Sequence, residues 1–475
     1  MRTITDGTWL EKSIPRYLEG RPGFVDCMCW DRASLIATFL VCVGTSSRAQ
    51  FSPRIGRPGQ VEGDLFGTSI ASAGDVDGDG VPDIVVGSGA WSVRPPDDPS
   101  GYVLSGKTGK LLFAIGRDGE VLRFGNRSVC GTSDLDGDGH SDVTLVAWHS
   151  NPTSPGYFVT VFSGADGKRL WEQLLTSRRR LGDLSVTSVG DLDGDRIADV
   201  AVEAGNPLDA VNPGSVMLFS GRSGCLLAEG RENILGDWRW QGSIASIDDL
   251  DGDGTPDLLV PTVARDSCRK YTGGFGIDAL SGRDLHRIRR FVVTECADPI
   301  AASAGDVDRD GVPDLLVSGT VPGTMENCPT FVRILSGRDG GILAEFMNPS
   351  CFAKGSDMCR VGDVDHDGWT DVLLSEYEMG GACSGVRVLS GRDAHLIRTI
   401  PPPIDLWGPW PRYLGYAVAD AGDVDQDGYD DIALASATPW GDATGFAEVY
   451  SGRTGEVLWL WTRESVEHGG AQRAR

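Results

Sequence analysis

A nine-residue acidic string with the pattern Asp-x-Asp-x-Asp-Gly-x-x-Asp occurs seven times in this chain, once with arginine in place of the glycine. The strings begin at Asp75, Asp134, Asp191, Asp249, Asp306, Asp363 and Asp423, so successive copies start 59, 57, 58, 57, 57 and 60 residues apart. A fixed period of this size predicts a repeat fold, in which each unit buries its apolar faces against its neighbours. We number the residues of each string as positions 1 to 9.

Two further landmarks divide each repeat. An apolar run follows each string, as at Ile84–Val86, and such a run is typical of a strand that is covered on both faces. A Ser-Gly pair then marks a hairpin. These pairs begin at Ser105, Ser163, Ser220, Ser281, Ser336, Ser390 and Ser451. We therefore predict four strands, A to D, with the acidic string between A and B and Ser-Gly between C and D.

Seven repeats of four strands, with no helical pattern between them, predict an all-β fold. The predicted architecture is a seven-bladed β-propeller of four-stranded antiparallel blades, with a calcium loop in each blade. A calcium-binding parallel β-roll is the rival, but its period is only about nine residues.

The spacing of oxygen donors in each string predicts a metal site. Positions 1, 3, 5 and 9 supply carboxylates and position 7 supplies a backbone carbonyl, which together form a flexible all-oxygen shell suited to Ca²⁺. An EF-hand would need an acidic residue at position 12 and flanking helices, and neither is present. The predicted ligands of up to seven Ca²⁺ ions are Asp75, Asp77, Asp79, Val81, Asp83; Asp134, Asp136, Asp138, His140, Asp142; Asp191, Asp193, Asp195, Ile197, Asp199; Asp249, Asp251, Asp253, Thr255, Asp257; Asp306, Asp308, Asp310, Val312, Asp314; Asp363, Asp365, Asp367, Trp369, Asp371; and Asp423, Asp425, Asp427, Tyr429, Asp431.

Glycine at position 6 provides the positive φ that turns the chain. The third string has Arg196 there instead, which predicts backbone strain and charge repulsion, and so the weakest of the seven sites. Because the ligands repeat identically instead of converging on one pocket, a structural role of the metal is favoured over a catalytic one.

The chain of 475 residues divides into four predicted segments. Residues 1–49 form a leader that ends in a secretory signal, with the apolar run Leu35–Val43 and cleavage after Ala49; Met28 is an alternative start, and a mitochondrial-type or disordered leader is the alternative interpretation. Residues 50–61 form a linker, 62–462 the propeller and 463–475 a flexible tail. No other run is long and apolar enough to span a bilayer, so we predict a mature chain without a transmembrane segment. Its expected location is extracellular or at the cell surface, or on the periplasmic side in a bacterium.

The formal charge of −25 argues against nucleic acid and anionic membranes as partners. An exported chain can form disulfides, and two repeats share one placement of cysteines in the B–C loop and the next crossing. This placement predicts the disulfides Cys268–Cys296 and Cys328–Cys351 and leaves a pairing of Cys359 with Cys383 open. Cys130 and Cys225 are expected to be small buried side chains.

Tryptophans collect in the B–C loops and the crossings between blades, which share the face opposite the acidic loops. Exposed aromatic rings of this kind suit stacking on sugars or anchoring a peptide, although they could equally shield the blade ends. The candidate ligand face consists of Trp91, Trp148, Trp238, Trp240, Trp407, Trp410 and Trp440.

The chain resembles the FG-GAP repeats of the integrin α-subunit propeller over roughly residues 62–462. All seven acidic strings match the calcium loop of that family, and Phe66-Gly67 and Phe124-Gly125 match its name motif. The motif is relaxed at Leu181-Gly182 and Leu414-Gly415 and replaced by Pro299-Ile300 in the fifth repeat. The resemblance implies a calcium-binding propeller and an adhesive role.

We therefore predict a secreted calcium-binding propeller that recognises an extracellular glycan or protein. A polysaccharide lyase or hydrolase is the alternative, although the sequence contains no catalytic motif such as Gly-x-Ser-x-Gly or His-Glu-x-x-His. A purely structural cell-surface protein is the third hypothesis.

Overall fold

Seven antiparallel sheets, each built around one acidic string, make up the part of the chain that the structure, a computed structural model, describes. The described residues are 64–90, 99–116, 120–121, 127–149, 155–176, 184–204, 215–231, 238–240, 243–265, 271–293, 297–321, 330–348, 354–377, 385–401, 417–437, 445–469 and 472–473. The predicted leader, signal and linker lie outside them.

The first four blades take their strands consecutively from the chain. Blade 1 contains β1 (Asp64–Gly74), β2 (Asp83–Ala90), β3 (Gly101–Leu104) and β4 (Leu111–Ile115). Blade 2 contains β5 (Glu120–Val121), β6 (Val129–Gly131), β7 (Val143–His149), β8 (Gly156–Phe162) and β9 (Arg169–Thr176). Blade 3 contains β10 (Leu184–Val189), β11 (Asp199–Ala204), β12 (Ser215–Phe219) and β13 (Leu226–Arg231). Blade 4 contains β14 (Trp238–Trp240), β15 (Ala245–Ile247), β16 (Asp257–Arg265), β17 (Tyr271–Leu280) and β18 (Arg287–Val293).

The last three blades follow the same order. Blade 5 contains β19 (Ala297–Gly305), β20 (Asp314–Thr320), β21 (Thr330–Leu335) and β22 (Ile342–Asn348). Blade 6 contains β23 (Lys354–Val361), β24 (Asp371–Tyr377), β25 (Gly385–Leu389) and β26 (Leu396–Ile400). Blade 7 contains β27 (Ala417–Gly422), β28 (Asp431–Ser436), β29 (Phe446–Tyr450), β30 (Val457–Thr462) and, after helix α1 (Arg463–His468), β31 (Gln472–Arg473).

The pairing of strands confirms the predicted all-β, seven-bladed propeller. Within each sheet the order is A-B-C-D, and every described pair is antiparallel. The acidic string joins A to B and the Ser-Gly hairpin joins C to D, as predicted. In blades 2 and 4 strand A consists of two short pieces, β5 with β6 and β14 with β15, which pair with the same B strand.

Strand B is buried on both faces, which explains its continuous apolar sequence. In β7, Val143 and Leu145 pack into a cluster shared with blade 1, whereas Val146 and Trp148 pack into a cluster shared with blade 3. Side chains alternate between the two faces of a strand, and here both faces meet a neighbouring sheet. A strand with a solvent face would instead alternate apolar and polar residues.

Seven apolar clusters among the described residues, one at each blade interface, close the ring. The innermost strands contact one another in the circular order β1, β6, β10, β15, β19, β23, β27 and back to β1. Among the described residues, all of the strands of blade 7 come from residues 417–473.

Two tryptophans of β30 form the closing contact between blade 7 and blade 1. The indole N–H of Trp459 donates to the carbonyl of Gly106 at 2.7 Å, and that of Trp461 donates to Gly109 at 2.8 Å. Trp461 is fully buried in the cluster shared by both blades. Within the described residues, side-chain packing and these two hydrogen bonds therefore join blade 7 to blade 1.

The C-terminal segment, predicted as a flexible tail, contains α1 and β31. A capping box of Thr462 and Ser465 begins the helix, and Val466 packs into the closing cluster between blades 7 and 1. Strand β31 pairs with the outer edge of β30. Among the described residues, no helix has the length and apolar character that crossing a membrane requires.

An ion pair between a half-buried arginine and a buried aspartate crosses the interior of the ring. Arg127 precedes β6 in blade 2, and its Nε lies 3.3 Å from Oδ1 of Asp357 in blade 6. Its guanidinium also donates to the carbonyl of Ile244 in blade 4 at 3.3 Å and to the carbonyl of Met358. The other Asp357 oxygen accepts the N–H of Val418 in blade 7 at 3.1 Å. One arginine thus connects blades that do not adjoin in the ring.

The Ser-Gly pair locks the C–D hairpin against the acidic loop of the same blade. Its glycine N–H donates to the position-9 aspartate, as between Gly337 and Asp314 at 2.9 Å. A Cβ on that glycine would lie 1.7–2.0 Å from the position-8 carbonyl oxygen in every blade. The glycine is therefore required by the close approach of two backbones.

Replacing Arg127 with methionine should lower the free energy of unfolding by roughly 3–5 kcal/mol, because it leaves the Asp357 charge buried without its cation. The double variant Arg127→Met/Asp357→Asn should recover much of this loss. Urea unfolding measures both. The exposed pair Lys168–Asp166 provides the control, since Lys168→Met should leave the unfolding midpoint unchanged. Equal midpoints for Arg127→Met and the parent protein would contradict the assigned role of the pair.

Gly337→Ala should destabilise the protein by roughly 3 kcal/mol or more, because the new Cβ would collide with the Pro313 carbonyl at 1.9 Å. Gly311→Ala in the same blade is the matched control. Gly311 has a φ of +85°, but a Cβ added there would meet no atom within 4 Å, so only the left-handed backbone should cost about 1–2 kcal/mol. Denaturant unfolding without added cations compares the two, and an equal loss in both would show that the close approach is unimportant.

Candidate metal centres

Three carboxylates converge in the acidic loops, at positions 1, 3 and 9. In each cluster one oxygen from each residue lies within 4.8 Å of the other two. Among the described residues the clusters include Asp75, Asp77 and Asp83; Asp134, Asp136 and Asp142; Asp191, Asp193 and Asp199; Asp249, Asp251 and Asp257; and Asp306, Asp308 and Asp314. These are sequence-predicted ligands that the fold brings together.

The position-9 aspartate is the buried member of each cluster and begins strand B. One of its oxygens accepts the N–H of position 2, at 2.7–2.9 Å across the seven blades. The other accepts the N–H of the Ser-Gly glycine, at 2.8–3.1 Å. This carboxylate therefore ties the loop to the hairpin and fixes the floor of the site.

Burial makes the charged form of this aspartate costly. It raises the pKa of Asp83, Asp371 and Asp431 to about 7 and the pKa of Asp142 and Asp257 to about 6. Burial also raises the pKa of Asp199 and Asp314. The two N–H donors act in the opposite direction but only partly offset the loss of water. A cation in the loop would favour the charged form, since an opposite charge lowers a carboxyl pKa.

The position-1 aspartate shapes the loop through the backbone. Its two oxygens accept the N–H groups of positions 5 and 6, at 2.9–3.1 Å and 2.7–3.0 Å. Position 6 has a positive φ, and Arg196 adopts it at 70°, as the third string predicts. The loop geometry of the third site is thus retained in spite of its arginine.

Position 4 also has a positive φ, which the sequence did not lead us to predict. Arg309, His366 and Gln426 adopt φ values of 61°, 60° and 59° there. The other four strings have glycine at this position, also with positive φ. Glycine at position 4 in four of the strings indicates a positive φ. The larger residues in the other three strings made this pattern hard to recognise.

Position 5 is placed differently from the other predicted ligands and is absent from the clusters named above. One of its oxygens accepts the position-7 N–H, as in Asp79 with Val81 at 3.0 Å. In blades 1, 3 and 5 the other oxygen pairs with a basic side chain of the C–D hairpin. These hairpin residues, Lys107, Arg222 and Arg338, belong to the site, and the sequence signal for them was the basic residue that follows Ser-Gly.

The side chain at position 7 points to the preceding loop in two blades. The His140 Nδ1 lies 2.8 Å from the carbonyl oxygen of Val76, and the Trp369 Nε1 donates to the carbonyl of Val307 at 3.3 Å. Adjacent loops are therefore in direct contact through the side chains of position 7, a position that was predicted to contribute only its backbone carbonyl.

The donor set fits a hard divalent cation. The three converging groups are carboxylates, the nearby backbone offers further carbonyl oxygens, and the described loop residues contribute no sulfur ligand. Oxygen-only, multiply charged and flexible sites are typical of Ca²⁺ in proteins. Clustered acidic residues in these loops are thus compatible with calcium binding.

The predicted ligand face is only partly described, and Trp148 is a correction. This residue was expected to be exposed, but it is 7% exposed and packs edge-to-face on Tyr157, with ring centroids 4.7 Å apart. The reason is that strand B of blade 2 continues to His149. Trp238 and Trp240 lie in β14 of blade 4 and not in a crossing. Trp91, Trp407, Trp410 and Trp440 lie outside the described residues.

The predicted disulfides also lie outside the described residues, since Cys268, Cys296, Cys328 and Cys351 are not among them. Of the described cysteines, Cys130, Cys225 and Cys359 are free thiols. Cys225 is exposed, so its expected burial is wrong. It lies in the C–D hairpin of blade 3, between Ser220 and β13.

Comparison with known proteins finds similarities to a repeat family and to integrin α-subunits. The family model described as "FG-GAP repeat" matches residues 66–104, which run from strand A through the first acidic loop to strand C. Integrin alpha-4 of Xenopus laevis is 26% identical over 143 residues, covering 29% of this chain and 14% of the relative. Integrin alpha-V of Gallus gallus is 25% identical over 212 residues, covering 41% and 20%, respectively.

Integrin alpha-5 of Xenopus laevis is 30% identical over 226 residues, which cover 44% of this chain and 21% of the relative. The chain thus matches about a fifth or less of the length of these three integrin α-subunits. Together, the repeat, the seven blades and these relatives support a β-propeller that is similar to the FG-GAP propellers of integrin α-subunits.

Proposed function

We propose that this protein is a secreted, calcium-stabilised recognition module that binds an extracellular protein or glycan. The observation that carries the proposal is the convergence of three carboxylates in loops that repeat around an integrin α-like propeller. The integrin α relatives suggest an adhesion or recognition module. Secretion, the ligand and the identity of the cation are parts of the proposal.

The calcium part of the proposal assigns positions 1, 3 and 9 as the carboxylate ligands, with position 5 and the position-7 carbonyl completing the shell. When bound, Ca²⁺ would neutralise the clustered charges of each loop. The protein's own residues already hold the loop in shape, because the position-1 and position-9 oxygens accept at least four backbone N–H groups in each blade. A preformed loop loses little conformational freedom when it binds the ion.

Recognition would be tested with arrays of immobilised extracellular proteins and glycans, probed with the full chain in Ca²⁺ and in EGTA. Retention of an intact protein or glycan that depends on Ca²⁺ would support the proposal. Shortened glycan products would instead favour the lyase or hydrolase hypothesis, and a folded, calcium-loaded chain that binds nothing would favour the purely structural one. Those two hypotheses remain predictions from the sequence.

Removal of Ca²⁺ with EGTA should lower the midpoint of thermal unfolding by about 10 °C or more, since several sites would each lose their binding free energy. Differential scanning calorimetry with stepwise return of Ca²⁺ measures the effect. Mg²⁺ is the control and should restore little, because it demands a smaller octahedral shell. An unchanged midpoint in EGTA would refute the calcium assignment.

The third site should be the weakest, and Arg196→Gly should strengthen it by removing a positive charge beside the ligands. The reciprocal change, Gly254→Arg, should weaken the fourth site. Calcium titrations would be repeated on Asp191→Asn, which removes a ligand of the third site, and on Asp249→Asn, which removes a ligand of the fourth. The binding step that disappears in each variant belongs to that site. Equal affinities of the third and fourth sites in the parent protein would contradict this ranking.

A further inference from the structure

The residue that follows Ser-Gly in each C–D hairpin is basic in six of the seven blades. In chain order these residues are Lys107, Ala165, Arg222, Arg283, Arg338, Arg392 and Arg453. The hairpin is held against the acidic loop of its own blade by the bond from the Ser-Gly glycine to position 9. A long basic side chain at this point can therefore reach the metal ligands.

In blades 1, 3 and 5 the basic side chain pairs with the position-5 carboxylate. The Lys107 Nζ lies 3.6 Å from Asp79 Oδ2, and the Arg222 Nε lies 2.8 Å from Asp195 Oδ2.

Arg338 contacts Asp310 Oδ2 in the same way in blade 5 and also donates to the Asp310 carbonyl at 2.6 Å. In all three blades the position-7 residue is aliphatic, namely Val81, Ile197 and Val312.

In blades 6 and 7 the hairpin arginine lies elsewhere. The Arg392 guanidinium carbon is 5.0 Å from the centroid of the Trp369 ring, and that of Arg453 is 5.3 Å from the centroid of Tyr429. Both rings belong to position 7. In the described part of the chain, no basic side chain forms an ion pair with the position-5 residues of these blades, Asp367 and Asp427.

The two aromatic rings are held in place by the preceding loop. Arg309, at position 4 of blade 5, lies 4.4 Å from the Trp369 centroid, and the Trp369 Nε1 bonds to the Val307 carbonyl. His366, at position 4 of blade 6, stacks on Tyr429 with centroids 3.7 Å apart. Each ring is therefore a fixed platform that attracts the guanidinium through its π-face.

The two arrangements have different consequences for a cation in the loop. When a position-5 carboxylate is paired with a basic side chain, part of its negative charge is already neutralised. The positive charge beside it also repels the cation. An arginine stacked on the position-7 ring leaves that carboxylate to the cation. Blade 2 reaches the same result differently, since Ala165 carries no charge and Asp138 accepts the Ser163 hydroxyl at 3.3 Å.

We propose that the position-7 side chain, by directing the hairpin basic residue, grades the metal affinity of the loops. Sites 2, 6 and 7 bind Ca²⁺ more tightly than sites 1, 3 and 5. This inference rests on the proposed calcium function, and Lys107, Arg222 and Arg338 are positioning residues that act on the cation through the position-5 carboxylate.

The first test compares two lysines of one hairpin. Lys107→Ala should tighten Ca²⁺ binding at site 1 by about two- to fivefold, a range set by the strength of exposed ion pairs. Lys110→Ala removes the same charge from the same hairpin without touching Asp79, and should change the affinity less. Calcium titrations of the full chain, with Asp75→Asn used to assign site 1, provide the dissociation constants. Equal effects of the two changes would show that only overall charge matters and would overturn the inference.

The second test is a double-mutant cycle in blade 6. Trp369→Val should free Arg392 to pair with Asp367 and weaken site 6 by about two- to fivefold. The double variant Trp369→Val/Arg392→Ala should bind as tightly as the parent protein or tighter. If the double variant were as weak as the single one, Trp369 would act by packing alone and the inference would fail. Absence of Ca²⁺ binding at every site would instead refute the proposed function, so the two failures are distinguishable.

Discussion

The buried position-9 carboxylate is the interaction on which each blade depends. One of its oxygens accepts an N–H group from the A–B loop, and the other accepts an N–H group from the C–D hairpin. A buried carboxylate with both oxygens hydrogen-bonded is stable only while those donors remain in place. The same group lies in the cluster that would hold the cation. The loop, hairpin and metal site are therefore one unit, repeated in seven blades, and a change in any of them affects the other two.

The sequence was sufficient to predict the repeat, the strand order and the loops, because these are set by local patterns. The seven strings fix the period, and the continuous apolar runs that follow them can only be buried on both faces. Contacts between distant residues left no such pattern. Arg127 and Asp357 each belong to a single blade and form one pair across the ring, so this ion pair has no periodic signal in the sequence. Trp148 was misplaced because the end of strand B could not be located from composition alone.

The positive φ at position 4 and the basic hairpin residues were overlooked for a different reason. Glycine at position 4 and a basic residue after Ser-Gly both recur in the sequence. Each pattern has exceptions, such as Arg309 at position 4 and Ala165 in the hairpin. These exceptions carry the information that distinguishes one blade from another. In blade 3, for example, Arg196 and Arg222 both place positive charge beside the same loop, and Arg222 pairs with Asp195. The acidic residues are the same in all seven loops, so in this proposal the residues around them set the differences in metal affinity.

Ring closure is independent of the acidic loops in its chemistry. Trp459 and Trp461 donate to backbone carbonyls of the blade 1 hairpin, and Val466 of α1 fills the same cluster, so indole hydrogen bonds and apolar packing join blade 7 to blade 1. None of these contacts needs an ionised group. A cation bound in the acidic loops would act within each blade, whereas the closing tryptophans and the Arg127–Asp357 pair hold the blades to one another. Loss of such a cation should therefore act first on the acidic loops, because the contacts that close the ring do not include it.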